Sequence, residues 1–497
     1  MLRLSRRELL GVMVGAGLAA CAPARPGPEP GVRETGPRRS GVLNIGQDFG
    51  PQGLDPTRNI AWASTNVMEL IYTGLLRWNK NMEIEPDLAV SWENPDPTTY
   101  IFRLRQGVKF HNGKPFTAED VKFTIERIKD PATGSPYQTV YEPVEAVEVV
   151  DPYTVRFRLK RPYAPLLRYL GTIPHGAMVP RDPAAVASLD SKPVGTGPFV
   201  FEVHVVDQHV RLRRNPDYYE EGLPYLDGVV FKLLGDETSI IAALRSRSVD
   251  MAWLKDPKVA QNVARTTPGL ISVPGVSSRY IPIFFKLTEK PFNDVRVRRA
   301  LSLALNRKQI VGTVLGGYGS VGTFLPPSQL AGYKGDGSDL PYYQQDVPRA
   351  RQLLAEAGYG GGLKIPEFKI VAANQLDVQC AQLMKEQWAA AGIDVTLNPM
   401  EVGTILRDWN GGNYLMAMVG TVWAPDPDAE VDRFSSKSPF GRNMGINDPK
   451  LDELIEAGRS ELDPTRRVAI YRQIQQYVLE QVYTIVPYTY PLRWELI

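Results

Sequence analysis

The apolar residues of this chain recur with period two in its first half and with helical spacing in its second. That change constrains the architecture more than any other feature of the sequence. Tyr100, Phe102 and Leu104 alternate with Arg103 and Arg105, and Tyr153, Val155, Phe157 and Leu159 with Arg156, Arg158 and Lys160. Phe199, Phe201, Val203 and Val205 repeat the pattern before an Asp207-Gln208 turn and Val210 and Leu212. Side chains at i and i+2 share one face of a strand, so each run predicts a half-buried strand. One helix interrupts them, capped by Thr117 with Asp120 three residues on and striped by Val121, Ile125 and Ile128.

In the second half Asp294 opens a predicted long amphipathic helix carrying Val297, Leu301, Ala304, Leu305, Val311 and Leu315. Phe368 to Val371, a helix from about Leu376 to Ala391, and Ile393 to Leu397 then form a strand-helix-strand unit. Such a crossover is built most easily as a parallel pair with the helix on one face. The pattern predicts a β-rich α+β lobe followed by an α/β lobe, with YTIVPYTYPLRW near the end as a strand-like return to the first lobe.

The N-terminus reads as an export signal. Arg3, Arg6 and Arg7 precede a run of 12 apolar or glycine residues, Leu9 to Ala20. That length suits a signal-peptide core and falls short of the roughly 20 residues that cross a bilayer. Leu18-Ala19-Ala20-Cys21 resembles the bacterial lipobox, which implies diacylation of Cys21. Ser5-Arg6-Arg7-Glu8-Leu9-Leu10 fits a twin-arginine signal and equally an ordinary positive n-region. Residues 22–40 hold five prolines, three glycines and four arginines and cannot bury a core, so they read as a flexible tether. With Cys21 acylated, Cys380 is the remaining thiol, and the folded body is expected to rely on burial rather than on a disulfide. Its 57 basic and 55 acidic residues are mixed along the chain, which gives no reason to expect nucleic acid as a partner.

Several motifs occur in a fixed order: PDLAVSW (86–92), TYIFRLRQGVKFHNGKPFTAEDVKFTIER (99–127), PVGTGPF (193–199), RNPDYY (214–219), PFNDVRVRRALSLALNR (291–307) and AEAGY (355–359). Together they resemble the family 5 extracellular solute-binding proteins, which serve ABC importers for peptides, nickel and related solutes. The resemblance runs from about residue 42 to about 490. It implies a two-lobed periplasmic-binding-protein fold, type II and of the large peptide-binding class, with the ligand cleft between the lobes and hinge crossings near 277–285 and 483–490. The expected organisation is a signal peptide at 1–20, a tether at 21–40, a first lobe at 41–278 with an extra subdomain at about 70–175, a second lobe at 279–482, and a return strand at 483–497. Members usually continue some tens of residues past the position of Pro487, so that return is expected to be shortened. The implied protein is a monomer that is exported to the periplasm or cell surface and lipid-anchored. It holds a peptide or small solute for permease subunits, with no cofactor and no metal.

The segment TVWAPDPDAEVD, residues 421–432, supplies the candidate ligand contacts. Proline fixes its own φ and pushes the preceding residue out of the helical region, so Ala424 and Asp426 are expected to be extended and their neighbours presented. In the peptide binders that this segment resembles, an acid three residues before the Asp-Pro step pairs with the ligand amine. Here that position is Trp423, and the stretch expected to offer an arginine to the ligand carboxylate reads VAANQLD. Trp423 offers a flat face for a ring or a cation, with Asp426 as a nearby negative charge, and Asp428, Gly420, Arg407 and Phe49 complete the candidate set. In the competing reading Trp423 packs inside the second lobe and Asp426 caps a turn.

Other motifs were weighed against ordinary structural roles. Gly317, Gly319 and Gly322 have dinucleotide-binding spacing but follow a predicted helix rather than a strand. His204 and His209, five apart across a turn, read as solvated hairpin residues rather than metal ligands, and His111 as a satisfied structural group. No HExxH, Cys-x-x-Cys or Gly-x-Ser-x-Gly occurs. The alternatives kept open are a binder of a non-peptide solute (a sugar, an opine-like compound or a metal chelate), a hydrolase using Asp426 and Asp428 as acid and base, and a sensor or chaperone on the same fold.

Overall fold

The computed structural model describes residues 39–59, 61–274, 279–325, 338–422, 426–490 and 494–497. The chain forms two compact units. The first comprises residues up to Arg161, Leu166–Trp253 and Ile497; the second comprises Pro162–Pro165 and Leu254–Leu496.

The first unit holds both kinds of strand pairing. Val42–Gln47 runs parallel to Gly228–Leu233 on one side and to Met251–Leu254 on the other. Gly228–Leu233 continues antiparallel to His209–Arg214, and that strand to Phe199–Val205. Leu43, Ile45, Phe199, Val210, Leu212, Val229 and Phe231 pack with Val67, Met68, Ile71 and Tyr72 of the adjoining helix segment. The alternating runs form a second, antiparallel sheet in the order Ala89–Asp96, Thr99–Leu104, Thr154–Leu159, Val144–Asp151. Tyr100, Phe102, Leu104, Val155, Phe157 and Leu159 are buried on one face, and helix Ala118–Lys129 lays Val121, Ile125 and Ile128 in the same interior. Its start is fixed as the sequence predicts, Thr117 N donating to Asp120 Oδ2 at 2.9 Å.

The HNG and GTG motifs meet in this unit. His111 Nδ1 accepts from the Gly195 amide at 3.4 Å, so Nε2 carries the proton and donates to the Gly197 carbonyl at 3.0 Å. Burial pushes the imidazole down to about 4, which keeps it neutral and structural, as the sequence reading expects. A Cβ on Gly195 would lie 2.1 Å from the Ile71 carbonyl oxygen, so only glycine allows this approach. His204 pairs with Val210 and His209 with Val205. Successive residue pairs of a ladder point to opposite faces, so the two histidines do not share one.

The second unit is layered. Ile393–Met400, Leu363–Val371 and Met416–Met418 are parallel neighbours, and Ile283–Phe285 and Thr484–Ile485 extend the sheet antiparallel. Helix Gln375–Ala390 makes the predicted crossover, burying Cys380, Ala381, Met384 and Trp388. Ile283 and Phe285 enter the core beneath that helix, whereas Phe284 enters a second core with Tyr280, Phe434, Tyr471 and Ile474. The sheet is therefore covered on both faces, as parallel strands require. The predicted long helix from Asp294 to Leu315 is in fact two helices, Val295–Leu303 and Arg307–Thr313. Asn306 breaks it by acting as a new N-cap, its Oδ1 accepting from Gln309 N at 2.9 Å. A smaller sheet, in the order Ser320–Val321, Tyr488–Thr489, Arg279–Tyr280, Thr421–Val422, continues three chain segments of the larger one. Pro487 separates Thr484–Ile485 from Tyr488–Thr489, and Trp494–Leu496 pairs antiparallel with Ser272–Pro274.

Candidate functional site

In open α/β sheets, ligands bind beyond the carboxyl ends of the parallel strands, where loops leave the sheet. In the second unit those ends are Val371, Met400 and Met418. Gly420 lies two residues past Met418, half-buried, before Thr421–Val422 pairs with Arg279–Tyr280. Arg407 lies on helix Val402–Gly411, which leaves the end of Ile393–Met400 through the capping residue Glu401. It is exposed, with Nη2 donating to Thr404 Oγ1 at 3.3 Å. In the first unit Phe49 follows the carboxyl end of Val42–Gln47 and is 45% exposed. Trp423 and Cys21 lie outside the described residues.

The acids of 421–432 turn inward. Asp426 is wholly buried and meets Arg467 in a two-point fork, Nη1 to Oδ2 at 2.7 Å and Nη2 to Oδ1 at 2.6 Å. Its Oδ1 also accepts from the Asp428 amide at 2.9 Å, so it caps the turn into helix Asp428–Asp432. Arg467 is itself held by the Gly458 carbonyl at 2.8 Å and the Tyr471 hydroxyl at 3.0 Å. Asp428 has a different partner, with Arg459 Nε at 3.0 and 3.2 Å from its two oxygens. Burial pushes the Asp428 carboxyl up to about 6, against the pull of Arg459 and with the help of Asp426 and Asp432. Glu430, also fully buried, accepts from the Tyr280 hydroxyl and faces Arg433 Nε at 3.3 Å.

Each acid thus has its own guanidinium, Arg467 for Asp426 and Arg459 for Asp428. Arg433 also donates from Nη2 to Thr421 Oγ1 at 3.1 Å. Thr421 on one side of residues 423–425 and Asp426 to Glu430 on the other are thus both pinned by arginines. Arg433, Arg459, Arg467 and Tyr280 are the partners of these acids that sequence reasoning missed. Buried acids demand cations, but nothing in the sequence pairs Asp426 with a residue 41 positions away.

The VAANQLD stretch is equally occupied. Asn374 Nδ2 donates to Asp377 Oδ2 at 2.7 Å and to Tyr490 OH at 2.8 Å, and Tyr488 OH donates to Asp377 Oδ1 at 2.8 Å. This start of helix Gln375–Ala390 therefore carries a buried carboxylate of the chain itself. Among the described residues, no group of three or more His, Cys, Asp or Glu side chains could hold a metal ion, and no helix is long and apolar enough to cross a membrane.

A doubly covered sheet, with loops gathered at the carboxyl ends of its parallel strands, defines a binding-protein scaffold. The fold is that of the periplasmic binding proteins of the peptide-binding class. Residues 83–442 match the model of the bacterial extracellular solute-binding proteins, family 5 Middle, and the chain belongs to that family. It is 29% identical to di/tripeptide-binding protein 2 of Pseudomonas aeruginosa (strain UCBPP-PA14), across 91% of this chain and 90% of the relative. The periplasmic binding protein DppA from Helicobacter pylori in complex with the peptide STSA superposes with a TM-score of 0.75 at 26% identity, over 92% of this chain and 94% of that one. The binding protein AgaA from A. tumefaciens R10 in complex with agropinic acid does so with a TM-score of 0.76 at 26% identity, over 92% and 93%.

Proposed function

We propose that this chain is an extracytoplasmic substrate-binding lipoprotein that captures a peptide or related solute and delivers it to the permease of an ABC importer without chemically altering it. The family match over 83–442 carries this reading. The engagement of Asp426 and Asp428 by Arg467 and Arg459 supports binding over hydrolysis, since neither acid is left as a general acid or base. Native mass spectrometry of the purified protein is expected to detect a retained solute of defined mass, released intact on denaturation. Release of hydrolysis products instead would overturn the reading.

The ligand contacts we propose are Trp423, Gly420, Arg407 and Phe49. Asp426 and Asp428, paired with Arg467 and Arg459, contribute by anchoring the chain that follows the loop. Trp423 stands where the peptide binders that this segment resembles hold an acid for the ligand amine, and the stretch expected to offer an arginine to the ligand carboxylate reads VAANQLD. This observation favours a longer or blocked peptide, or a non-peptide solute with a cationic or ring group, over a free dipeptide. Trp423→Ala is expected to weaken binding of the retained solute by about 1–3 kcal/mol in calorimetry, with the melting temperature of the ligand-free protein unchanged. Unaltered affinity with a lowered melting temperature would make Trp423 a core residue.

The anchor we propose is a diacylglyceryl group on Cys21, because one acyl chain holds a protein to a membrane only marginally and two make the attachment durable. Wild-type protein expressed in bacteria is expected in the detergent phase on phase separation, and Cys21→Ser in the aqueous phase. Wild type in the aqueous phase would rule the anchor out.

A further inference from the structure

Among the large apolar side chains exposed to solvent in the described residues, two are Phe or Trp, namely Phe49 at 45% and Trp62 at 39% exposure. Trp388 and twelve phenylalanines among the described residues are, by contrast, buried. Both exposed rings belong to the first unit. Phe49 lies two residues past Val42–Gln47, a strand with parallel neighbours on both sides, and Trp62 is the first residue of helix Trp62–Ile71.

The chain between them is stitched to that helix. Asn66 Nδ2 donates to Gln47 Oε1 at 3.2 Å, and the Gln52 amide donates to Ser64 Oγ at 3.1 Å. Gln47 Nε2 also donates to the Phe49 carbonyl at 2.6 Å, which fixes the backbone from which that ring projects. On the other side of the helix Ala63, Val67, Met68 and Ile71 are fully buried, so the backbone under Trp62 is part of the core.

Two aromatic rings in water on an ordered backbone, past the carboxyl end of a strand with parallel neighbours, have the character of a ligand platform. We infer that Trp62, with Phe49, forms the first unit's contact with the solute and selects ligands that bear a ring or a long apolar side chain. This inference rests on the solute-binding reading above. Rings add affinity for another ring beyond the area they cover, and burying the remaining half of each side chain adds more.

The test uses the full chain, freed of retained solute, titrated in a calorimeter with two probes, the tripeptides Ala-Phe-Ala and Ala-Ala-Ala, each blocked at both ends. Wild type is expected to bind Ala-Phe-Ala about ten-fold more tightly. Trp62→Ala should erase most of that preference while leaving the affinity for Ala-Ala-Ala within about two-fold, Phe49→Ala should reduce it, and Trp62→Phe should retain most of it. Because both rings are exposed, melting of the ligand-free variants should match wild type. Equal binding of the two probes by wild type, or full preference in both alanine variants, would overturn the inference and leave the binding function standing. Failure of wild type to bind either tripeptide would overturn the peptide reading and the inference with it.

Discussion

Replacing Arg467 by alanine is expected to lower the unfolding free energy by about 3–5 kcal/mol, because it strands a carboxylate that has no exposure to water. The guanidinium contributes both bonds of the fork to Asp426 and also bonds to the Gly458 carbonyl and the Tyr471 hydroxyl, so one truncation disturbs four polar contacts. For a cooperative unit of this size each kcal/mol moves the melting temperature by about 2–4 °C, so a fall of about 10 °C should be seen by calorimetry. The ion pair need not be worth that much in net terms. Taking two charges out of water costs several kcal/mol each, and the loss on truncation reflects mainly the penalty of the orphaned partner. The double variant Asp426→Leu with Arg467→Met should therefore recover more than half of the loss. A change below about 1 kcal/mol in the single variant would mean that water reaches Asp426 once the arginine is gone.

What could be read from the sequence follows from the range of the interaction involved. The strands Thr99–Leu104 and Thr154–Leu159 and the crossover helix Gln375–Ala390 were legible because periodicity is local and each side chain reports its own face. The break after Leu303 was missed because Ala304 and Leu305 continue the apolar stripe, and only the capping chemistry of Asn306 ends it. The inward turn of Asp426, Asp428 and Glu430 was not legible for a different reason. A run of carboxylates between prolines looks the same whether it meets water or arginine, and of the three arginines only Arg433 is local, while Arg459 and Arg467 are brought in by the packing of two later helices. Asp426 was expected to be presented to a ligand; it is instead buried and caps the turn into helix Asp428–Asp432. Trp62 went unnoticed because a tryptophan at a helix start gives no sign of which way it faces until the helix is packed.

The second large effect concerns pH and runs opposite to ordinary acid denaturation. Asp428 has its carboxyl pushed up to about 6 by burial, whereas in the unfolded chain it returns to about 3.9. The folded state therefore binds this proton more tightly than the unfolded state does. Its contribution is fully present below the unfolded value and is lost as pH rises through about 6. Two pH units of difference correspond to a gain on the order of 3 kcal/mol in full, of which about 2 kcal/mol accrues as pH falls from 7.5 to about 4.5. Opposing groups act in the same range and below it. Burial lowers the His111 and His175 imidazoles to about 4, so the unfolded chain takes up protons near pH 6.5 that the folded chain does not, and on their account stability falls as pH falls. Asp294, Glu142 and Glu461, whose carboxyls are held below their usual range foremost by Arg296, Lys160 and Arg466 respectively, cost stability lower down as they protonate. The contribution of Asp428 is therefore read from the difference between wild type and a variant that cannot titrate. Asp428→Asn removes the titration while leaving Arg459 paired with Asp432 at 2.9 Å and Glu456 at 3.5 Å, so no charge is stranded. In urea unfolding at pH 7.5, 6.5, 5.5 and 4.8, wild type should gain on the asparagine variant across the series by roughly 1.5 kcal/mol, with the variant equal to or above wild type at pH 7.5. A difference that stays level over that range would mean that the Arg459 fork outweighs burial and keeps Asp428 ionised.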